Sequence, residues 1–419
     1  MKRSTTTLRL AALASASALV IAACGGGDDS SDNKDKEVAK GDGEFVVGSL
    51  LPQTGSLAFL GPPEFAGVDL AIQEINEAGG VLGKDARHVK GDSGDTDSGI
   101  APTETDKLIK AKSDVIVGAA SSGVSMTVID KILGAGVVQY SPANTSTDFD
   151  EGKYGKPDLY FRTAPSDVLQ GAVMANLLVE DGRQNVAILA RQDSYGETLA
   201  EQVKSGLEAA GSKVAVTSFY GEKAPSYDAQ IDQVAAAKPD AVVLIAFDET
   251  KKIIPQLVGK GVGPQDVATY FVDGNVADYS GESFAAQLKG VKGTVPGAEA
   301  TDEFRKRLLA IDPKLKDYSY AAESYDAVIT SALAAIAAKN DSGEAIASEL
   351  VEVTKGGEKC TTFKDCAALL EDGKDIDYDG VSGPIEMSET GSPTSASIGI
   401  YEYDTKGGYE AVKYIAGEI

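Results

Sequence analysis

The chain has 419 residues, a formal net charge of −25 and a single histidine. Its length predicts two to three domains, each with an apolar core of its own. No basic stripe interrupts the acidic composition, which argues against nucleic acid as a partner because such polymers are bound mainly through their phosphates.

The N-terminus has the pattern of an export signal. Basic residues near the start precede an apolar stretch, residues 10–23, that is too short to span a membrane stably. This stretch ends in Ile-Ala-Ala before Cys24, which is similar to a bacterial lipobox, where the cysteine is acylated. Residues 24–43 are rich in Gly, Asp, Ser and Lys and predict a disordered tether.

Residues 1–23 are therefore interpreted as a lipoprotein signal peptide. The protein is expected outside the cytoplasm and attached to the cell membrane through a lipid on Cys24. An ordinary signal peptide followed by an incidental cysteine is the alternative.

From residue 44 onward, strand-like and helix-like patterns alternate. This alternation predicts parallel sheets covered on both faces by helices. The pattern restarts after residues 160–165, which predicts two lobes joined by more than one crossing segment. Strands are predicted over residues 45–51, 114–118, 137–140, 185–190, 214–219, 241–247, 268–272 and 398–403. Helices are predicted after Pro62-Pro63 as far as Gly79, and over residues 125–133, 197–210, 228–237, 301–310 and 321–338.

Two strand ends in the first half carry hydroxyl groups. In open α/β sheets, ligands bind beyond the carboxyl ends of the strands. Ser121 and Ser122 follow one strand and open a helix whose free N–H groups and partial positive charge suit a carboxylate. Ala143, Asn144 and Thr145 follow the next strand, so the pair of ends predicts a carboxylate site. Helix capping by Ser122 and turn formation by Asn144 are the alternative roles.

Strand ends in the second half offer Tyr195, Phe247 and Asp273. Aromatic walls with one carboxylate would suit an ammonium group attached to an apolar body. Each of these side chains taken alone is more often a packing or surface residue, and only their shared position at strand ends indicates a site.

Cys360 and Cys366 are separated by five residues, and in an exported protein this spacing predicts a disulfide. A metal site is poorly supported because His88, the one histidine, is far away in sequence. Residues 375–386 match the EF-hand calcium-binding pattern letter by letter. The context disagrees, since Pro384 interrupts the loop and no exiting helix is predicted.

Hydrolase chemistry has little support. No G-x-S-x-G motif surrounds Ser121, Ser122 or Ser125, and His88 lies in a strand-like segment that favours a surface or packing role. The acidic cluster Asp92, Asp95 and Asp97 is interpreted as a solvated loop, and the glycine run at residues 259–263 as a helix stop.

Six short motifs occur in order along the body: Gly48–Gly55, Ala71–Asn76 with Gly79-Gly80, Gly118–Ser146, Asp193–Gly196, Ser324–Ala327 and Tyr378–Gly383. In this order they resemble the type I periplasmic binding proteins, in particular the branched-chain amino-acid-binding component of ABC importers. The resemblance, which is to proteins like the leucine/isoleucine/valine-binding protein, covers the body from Glu44 to the end.

The resemblance implies an α/β, two-lobed type I fold, in which each lobe is a mainly parallel sheet flanked by helices. The ligand cleft would lie between the lobes. Lobe 1 is expected to comprise residues 44–163 and 297–380, and lobe 2 residues 164–296 and 381–419.

The implied function is capture of a branched-chain or similar apolar amino acid by hinge closure, for delivery to ABC permease subunits in the membrane. The resemblance implies no enzymatic activity and no cofactor, and we expect a monomer. Alternative ligands are urea, short amides and aromatic acids. Alternative functions are an extracellular amide or peptide hydrolase on a related scaffold, or a sensor or adhesion lipoprotein.

The resemblance also assigns roles to residues at the ligand. Ser122 and Thr145, beside Asn144, would hold the α-carboxylate, and the Ala143 carbonyl and Asp273 would receive the α-ammonium. The cleft wall of the second lobe would be Tyr195 and Phe247.

Three features depart from the family pattern. Leu60 stands where many relatives place an aromatic residue, and Asp273 is one methylene shorter than the Glu of leucine binders. Both departures bear on the preferred side chain. The third is the pair Cys360 and Cys366, which sits late in the chain and not in the first lobe.

Overall fold

The computed structural model describes residues 39–150 and 159–419. Cys24, the signal segment and most of the tether lie outside the described residues. The strands are β1 Val46–Leu51, β2 Arg87–Asp92, β3 Val115–Gly118, β4 Val138–Ser141, β5 Tyr160–Arg162, β6 Asn185–Arg191, β7 Lys213–Tyr220, β8 Ala241–Ile245, β9 Ala268–Val272, β10 Lys292–Pro296, β11 Glu358–Cys360, β12 Ile376–Gly380, β13 Gly383–Pro384, β14 Ser395–Tyr403 and β15 Tyr409–Glu418.

The helices are α1 Gly61–Glu77, α2 Ile100–Lys110, α3 Ser122–Gly134, α4 Asp167–Glu180, α5 Ser194–Ala209, α6 Asp228–Ala237, α7 Thr250–Gly259, α8 Asp302–Ile311, α9 Ala321–Ala338, α10 Gly343–Leu350 and α11 Phe363–Glu371. Short 3₁₀ turns occur at Thr147–Phe149, Asp273–Asn275 and Ala285–Leu288. No helix among the described residues is long and apolar enough to cross a membrane.

The first lobe is built on a five-stranded sheet of order β2-β1-β3-β4-β5, in which every pair is parallel. β1, β3 and β4 are buried along their whole length because helices cover both faces. The long helix α9 packs against α1, and the approach is so close that a Cβ on Gly67 would lie 2.2 Å from the Ala321 carbonyl oxygen.

The second lobe is built on a seven-stranded sheet of order β15-β14-β10-β9-β8-β6-β7. The strands from β10 to β7 are parallel, while β14 and β15 are antiparallel additions at one edge. Ile188 and Leu189, adjacent in β6, belong to the two separate apolar clusters on opposite faces of this sheet. The predicted α/β fold with two lobes is confirmed.

Three crossings join the two sheets: between β5 and α4, between β10 and α8, and before β14. The third lies later than the expected boundary after residue 380. Ser382 donates to Asp326 of α9, and the Gly391 carbonyl accepts from the Arg162 N–H of β5, so these residues pack with the first lobe. The chain joins the second sheet only at Ser395.

Two further expectations are corrected. The end of the supposed disordered tether is hydrogen-bonded to the first lobe, where the Gly41 N–H donates to Asn340 and Asp42 pairs with Lys112. Cys360 and Cys366 form a disulfide, as expected, but both lie in the main apolar cluster of the first lobe, because α11 and β12 pack beside α9.

Most predicted elements are present with small shifts of their ends. Helices α2, α4, α7, α10 and α11 and strands β10, β11 and β15 are among the elements that were not predicted. α7 contains Pro255, which normally argues against a helix interior.

Candidate functional site

The first-lobe wall of the cleft begins at the N-terminus of α3. Ser121 caps this helix by accepting a hydrogen bond from the Val124 N–H (3.4 Å). The N–H groups of Ser122 and Gly123 lie in the first turn, where no intrahelical acceptor exists. They and the helix dipole make this end of α3 attractive to an anion.

The loop after β4 is tied to the loop after β3 by neutral hydrogen bonds. The Asn144 side chain donates to the carbonyls of Ala119 and Ala120 (3.0 and 2.9 Å) and accepts from the Tyr160 hydroxyl. Ser141 Oγ donates to the Ala119 carbonyl at 2.7 Å. These bonds fix the two strand ends relative to each other.

A buried arginine supports the same loop from the crossing side. Arg162 is fully buried and donates to the carbonyls of Asn144 and Ser146 and to Ser392 Oγ. Its charge is paired with Asp150. The position of this loop is therefore set by Ser141, Asn144 and Arg162, whose polar side-chain atoms are hydrogen-bonded.

The second-lobe wall is centred on Asp273, which lies in the 3₁₀ turn after β9. Its Oδ1 accepts from the Tyr195 hydroxyl (2.6 Å) and Gln170 Nε2 (2.9 Å), and its Oδ2 accepts from the Tyr320 hydroxyl (2.8 Å). Burial raises the pKa of Asp273, while these three hydrogen bonds lower it. No ion pair among the described residues includes this carboxylate.

Phe247 is held by a charged cluster at the back of the same wall. The Arg191 guanidinium lies 3.5 Å from the centre of the Phe247 ring. Arg191 is almost fully buried and pairs with Asp193, Glu222 and Glu249. The aromatic ring therefore rests on a cation whose position is fixed by three carboxylates.

A small cavity lies between the two walls. Its free volume of about 10 Å³ is close to the ~10–15 Å³ that one water needs. The lobes are thus closed around a space too small for an amino acid. Of the predicted residues, Leu60, Ser122, Ala143, Tyr195, Phe247 and Asp273 line it, joined by Leu57, Ala120, Ser121, Gly274 and Tyr320.

Two predicted residues are not among those that line the cavity. Asn144 is occupied by the hydrogen bonds described above. Thr145 is buried, and neither its hydroxyl nor Asp167 Oδ1 has a hydrogen-bond partner among the described residues, whereas Asp167 Oδ2 accepts from Thr198 at 2.6 Å. Burial raises the pKa of Asp167 to about 7.

Sequence reasoning missed Tyr320 and Leu57. Tyr320 precedes α9, and Leu57 follows a loop whose Ser56 donates twice to Asp95. Asp92 likewise accepts from Thr54. The acidic cluster, which was interpreted from the sequence as a solvated loop, therefore anchors the segment that carries Leu57. The Ser and Thr residues before Leu57, which could pair with these Asp residues, were the sequence signal for this contact.

The EF-hand pattern does not form a calcium loop. Residues of the pattern make up strand β12, and Lys359 pairs with both Asp377 and Asp379. Within residues 39–150 and 159–419, no group of three or more His, Cys, Asp or Glu side chains could hold a metal ion.

His88 has a partner arrangement similar to a catalytic triad. Its Nε2 lies 2.7 Å from Ser49 Oγ and its Nδ1 lies 2.7 Å from Asp69 Oδ1. Ser49 is fully buried in β1, however, so its hydroxyl is closed to a substrate carbonyl. These contacts are consistent with the packing role expected for His88.

The two-lobed fold and the cleft between the lobes define a solute-binding protein. A sequence model of periplasmic binding proteins matches residues 44–408, and the chain belongs to this family. Members of the family bind solutes outside the cytoplasm and are not enzymes, which removes the hydrolase alternative.

Relatives with known names are distant. The Leu/Ile/Val-binding protein BraC3 of Rhizobium johnstonii is 27% identical over 384 residues, covering 90% of this chain and 94% of the relative. The chemotactic signal transduction system substrate-binding protein BasB of Halobacterium salinarum is 26% identical over 367 residues, covering 84% and 85%.

Solved structures support the fold. The leucine binding protein LivK from Thermotoga maritima gives a TM-score of 0.72 at 21% identity, covering 88% of this chain and 98% of that chain. A solute-binding protein of an ABC transporter from R. palustris, in complex with benzoate, gives 0.70 at 18% identity, covering 90% and 98%. At these identities the likeness establishes the type I fold and not the ligand.

Proposed function

We propose that this chain captures an α-amino acid with a compact apolar side chain and delivers it to the permease of an ABC importer. The observation that carries this proposal is the Asp273 carboxylate, which is buried in the cleft with three neutral donors and no cation. A buried carboxylate without a counter-charge is costly, and a ligand ammonium would supply that charge.

The opposite wall would receive the α-carboxylate. The N-terminus of α3 offers the Ser122 hydroxyl and first-turn N–H groups, and no basic side chain lines the small cavity. A carboxylate held by dipoles and hydroxyls needs no buried cation. The Ala143 carbonyl, on the same wall, is proposed as a second acceptor for the ammonium, with Thr145 completing the carboxylate site in the liganded form.

An apolar side chain would lie among Leu57, Leu60 and the aromatic pair. The Tyr195 and Phe247 rings stack with their centres 5.5 Å apart, and Leu57 and Leu60 belong to the same buried cluster. A leucine at position 60 leaves more room than an aromatic residue would, which favours a branched aliphatic side chain.

Capture requires the lobes to separate, since the closed cleft has room for about one water. The three crossings at residues 163–166, 297–301 and 385–394 are the hinge candidates. Lipid attachment at Cys24 is proposed to keep the closed, loaded form beside its membrane partner.

An aromatic acid is the second candidate ligand, because the stacked Tyr195–Phe247 pair could also hold an aromatic ring. Such a ligand shares the carboxylate but lacks the ammonium. The two candidates therefore differ in their dependence on Asp273.

Calorimetric titration of leucine, isoleucine, valine and benzoate into the wild type and two variants tests the proposal. Asp273→Asn should weaken amino-acid binding about 100-fold, because it removes the charge facing the ammonium, while leaving benzoate unaffected. Ser122→Ala should weaken any carboxylate ligand, by about tenfold.

Ser331→Ala is the matched control, since this buried hydroxyl donates only within α9. Amino-acid affinity that is unchanged in Asp273→Asn would contradict the proposal. Benzoate binding without amino-acid binding would replace it by the second candidate.

A further inference from the structure

A second, larger cavity of about 700 Å³ adjoins the small one. Phe247, Gly274 and Tyr320 line both cavities, so they form the partition between them. The larger cavity is bounded by residues 316–323 of the first lobe, by residues 277–280 of the second lobe and by the crossing after β10.

Tyr320 is the part of this partition that contacts Asp273. It has a φ of +58°, which is uncommon for an aromatic residue and is held here by burial and by its hydrogen bond to Asp273 Oδ2. A ligand ammonium at Asp273 would compete with the Tyr320 hydroxyl for that oxygen. Losing this bond removes one restraint on the strained conformation.

The larger cavity has aromatic walls and one deep carboxylate. Tyr318, Tyr401 and Tyr409 line it, and the faces of such rings attract cations. Glu323 also lines it and is 4% exposed. Among the described residues, the only hydrogen-bond partner of the Glu323 carboxylate is its own backbone N–H.

A second buried carboxylate stands close to Glu323. Glu64 is fully buried, and neither of its oxygens has a hydrogen-bond partner in the described part of the chain. Burial and the neighbouring Glu323 raise the pKa of Glu64, and burial raises the pKa of Glu323 to about 8. Two buried acidic groups with no cationic partner form a site that a positively charged ligand group would stabilise.

The basic residues around the cavity do not pair with Glu323 or Glu64. Lys251 pairs with Asp248, and Arg305 stacks on Tyr318 with 5.5 Å between its guanidinium and the ring centre. Lys316 and Lys406 are exposed to solvent. The carboxylates on the same wall, Asp278, Asp317 and Asp404, accept hydrogen bonds from neighbouring groups.

We propose that the larger cavity is a side-chain compartment of the ligand site, which receives the cationic end of a long amino-acid side chain at Glu323. The inference rests on the proposed function, because the α-ammonium and α-carboxylate remain at Asp273 and Ser122. Tyr320 moves aside for such a ligand and stays in place for a short apolar one. The protein then binds lysine-like amino acids in addition to branched aliphatic ones.

Calorimetric titration of lysine and leucine into wild type, Glu323→Gln and Glu303→Gln tests this compartment. Lysine should bind the wild type, and Glu323→Gln should weaken lysine about tenfold or more while leaving leucine within about twofold. Glu303→Gln makes the same chemical change at an exposed position of α8 and should alter neither affinity.

A second measurement uses the wild type alone and does not depend on the folding of a variant. Lysine affinity should rise from pH 6 to pH 9 more steeply than leucine affinity, because lysine requires ionised Glu323. Leucine binding without lysine binding, equal losses in Glu323→Gln, or parallel pH profiles would overturn the compartment and leave the proposed function standing. Failure of both amino acids to bind the wild type would overturn the proposed function itself.

Discussion

The two walls of the cleft are built from different kinds of interaction. On the first-lobe wall, the α3 N-terminus and the loop after β4 are tied by neutral hydrogen bonds from Ser141 and Asn144. On the second-lobe wall, Asp273 is an unpaired carboxylate, and Phe247 rests on Arg191 and its three acidic partners.

This difference determines how much stability a substitution on each wall should cost. A neutral hydrogen bond lost from the first wall leaves one or two polar groups without a partner, at a cost of about 1–3 kcal/mol. A cation lost from the second wall leaves several buried carboxylates without a counter-charge, which costs more. The effects of substitutions on the two walls should therefore differ in magnitude and in physical cause.

The largest expected effect is at Arg191. Arg191→Met should lower the free energy of unfolding by about 3–5 kcal/mol, because it leaves Asp193, Glu222 and Glu249 as neighbouring buried or half-buried anions. Urea unfolding followed by circular dichroism measures the change.

Arg183→Met is the control, since in the described part of the chain the half-buried Arg183 side chain makes a single hydrogen bond, of 3.3 Å to Tyr270. It should cost less than about 1 kcal/mol. Equal losses in the two variants would show that the cluster behind Phe247 does not depend on its cation.

The sequence predicted the fold well where the pattern was local. Strand β9 and helices α6 and α9 have the predicted bounds, because apolar periodicity and flanking polar residues mark them clearly. The third crossing was misplaced because only a tertiary contact, Ser382 with Asp326, keeps that segment on the first lobe. Such a contact leaves no periodic signal.

For the site, strand-end reasoning selected Ser122, Tyr195, Phe247 and Asp273, which all line the small cavity. Tyr320 was not selected because it precedes a helix of the first lobe, and only a contact between the lobes places it beside Asp273. The Arg191 cluster could not be predicted either, since its carboxylates come from three separate loops.

A smaller loss of stability is expected for a substitution on the first-lobe wall. Asn144→Ala should lower the free energy of unfolding by about 1–3 kcal/mol, because the Ala120 carbonyl and the Tyr160 hydroxyl lose a partner. The Ala119 carbonyl also loses a donor but keeps its bonds from Ser141 and Ser125. It should also weaken every carboxylate ligand alike, since both strand ends lose their register. Urea unfolding and calorimetric titration measure the two effects.

Asn340→Ala is the matched control, because Asn340 also bonds backbone groups but lies away from the cleft, at Gly41 and Ser342. It should leave ligand affinity unchanged. A loss in Asn144→Ala that falls only on amino acids and spares aromatic acids would contradict the role of this wall as the carboxylate side.

The last expected effect on stability is at Glu323, a buried carboxyl group on the first-lobe side, and it is spread over several pH units. Burial raises its pKa in the folded protein to about 8 from an ordinary value of 4.5, so folding takes up a proton between these values. The free energy of unfolding should therefore fall as pH rises through this window, by about 1.4 kcal/mol per pH unit from this group. Below pH 4.5 and above pH 8 the contribution should level off, because both states then carry the same charge at this position.

Glu323→Gln removes this slope while keeping the shape of the protonated side chain, so the variant should gain stability over the wild type as pH rises from 5 to 8. Asp114, whose pKa is also raised by burial, contributes equally to both proteins and cancels in the comparison. Glu64 cancels only in part, because the neighbouring Glu323 is one of the two causes that raise its pKa. Urea unfolding at four or five pH values measures the difference. If the free energies of unfolding of wild type and variant differ by the same amount at every pH in this range, Glu323 is ionised in the folded protein. A cation or water would then have to stabilise its charge inside the larger cavity.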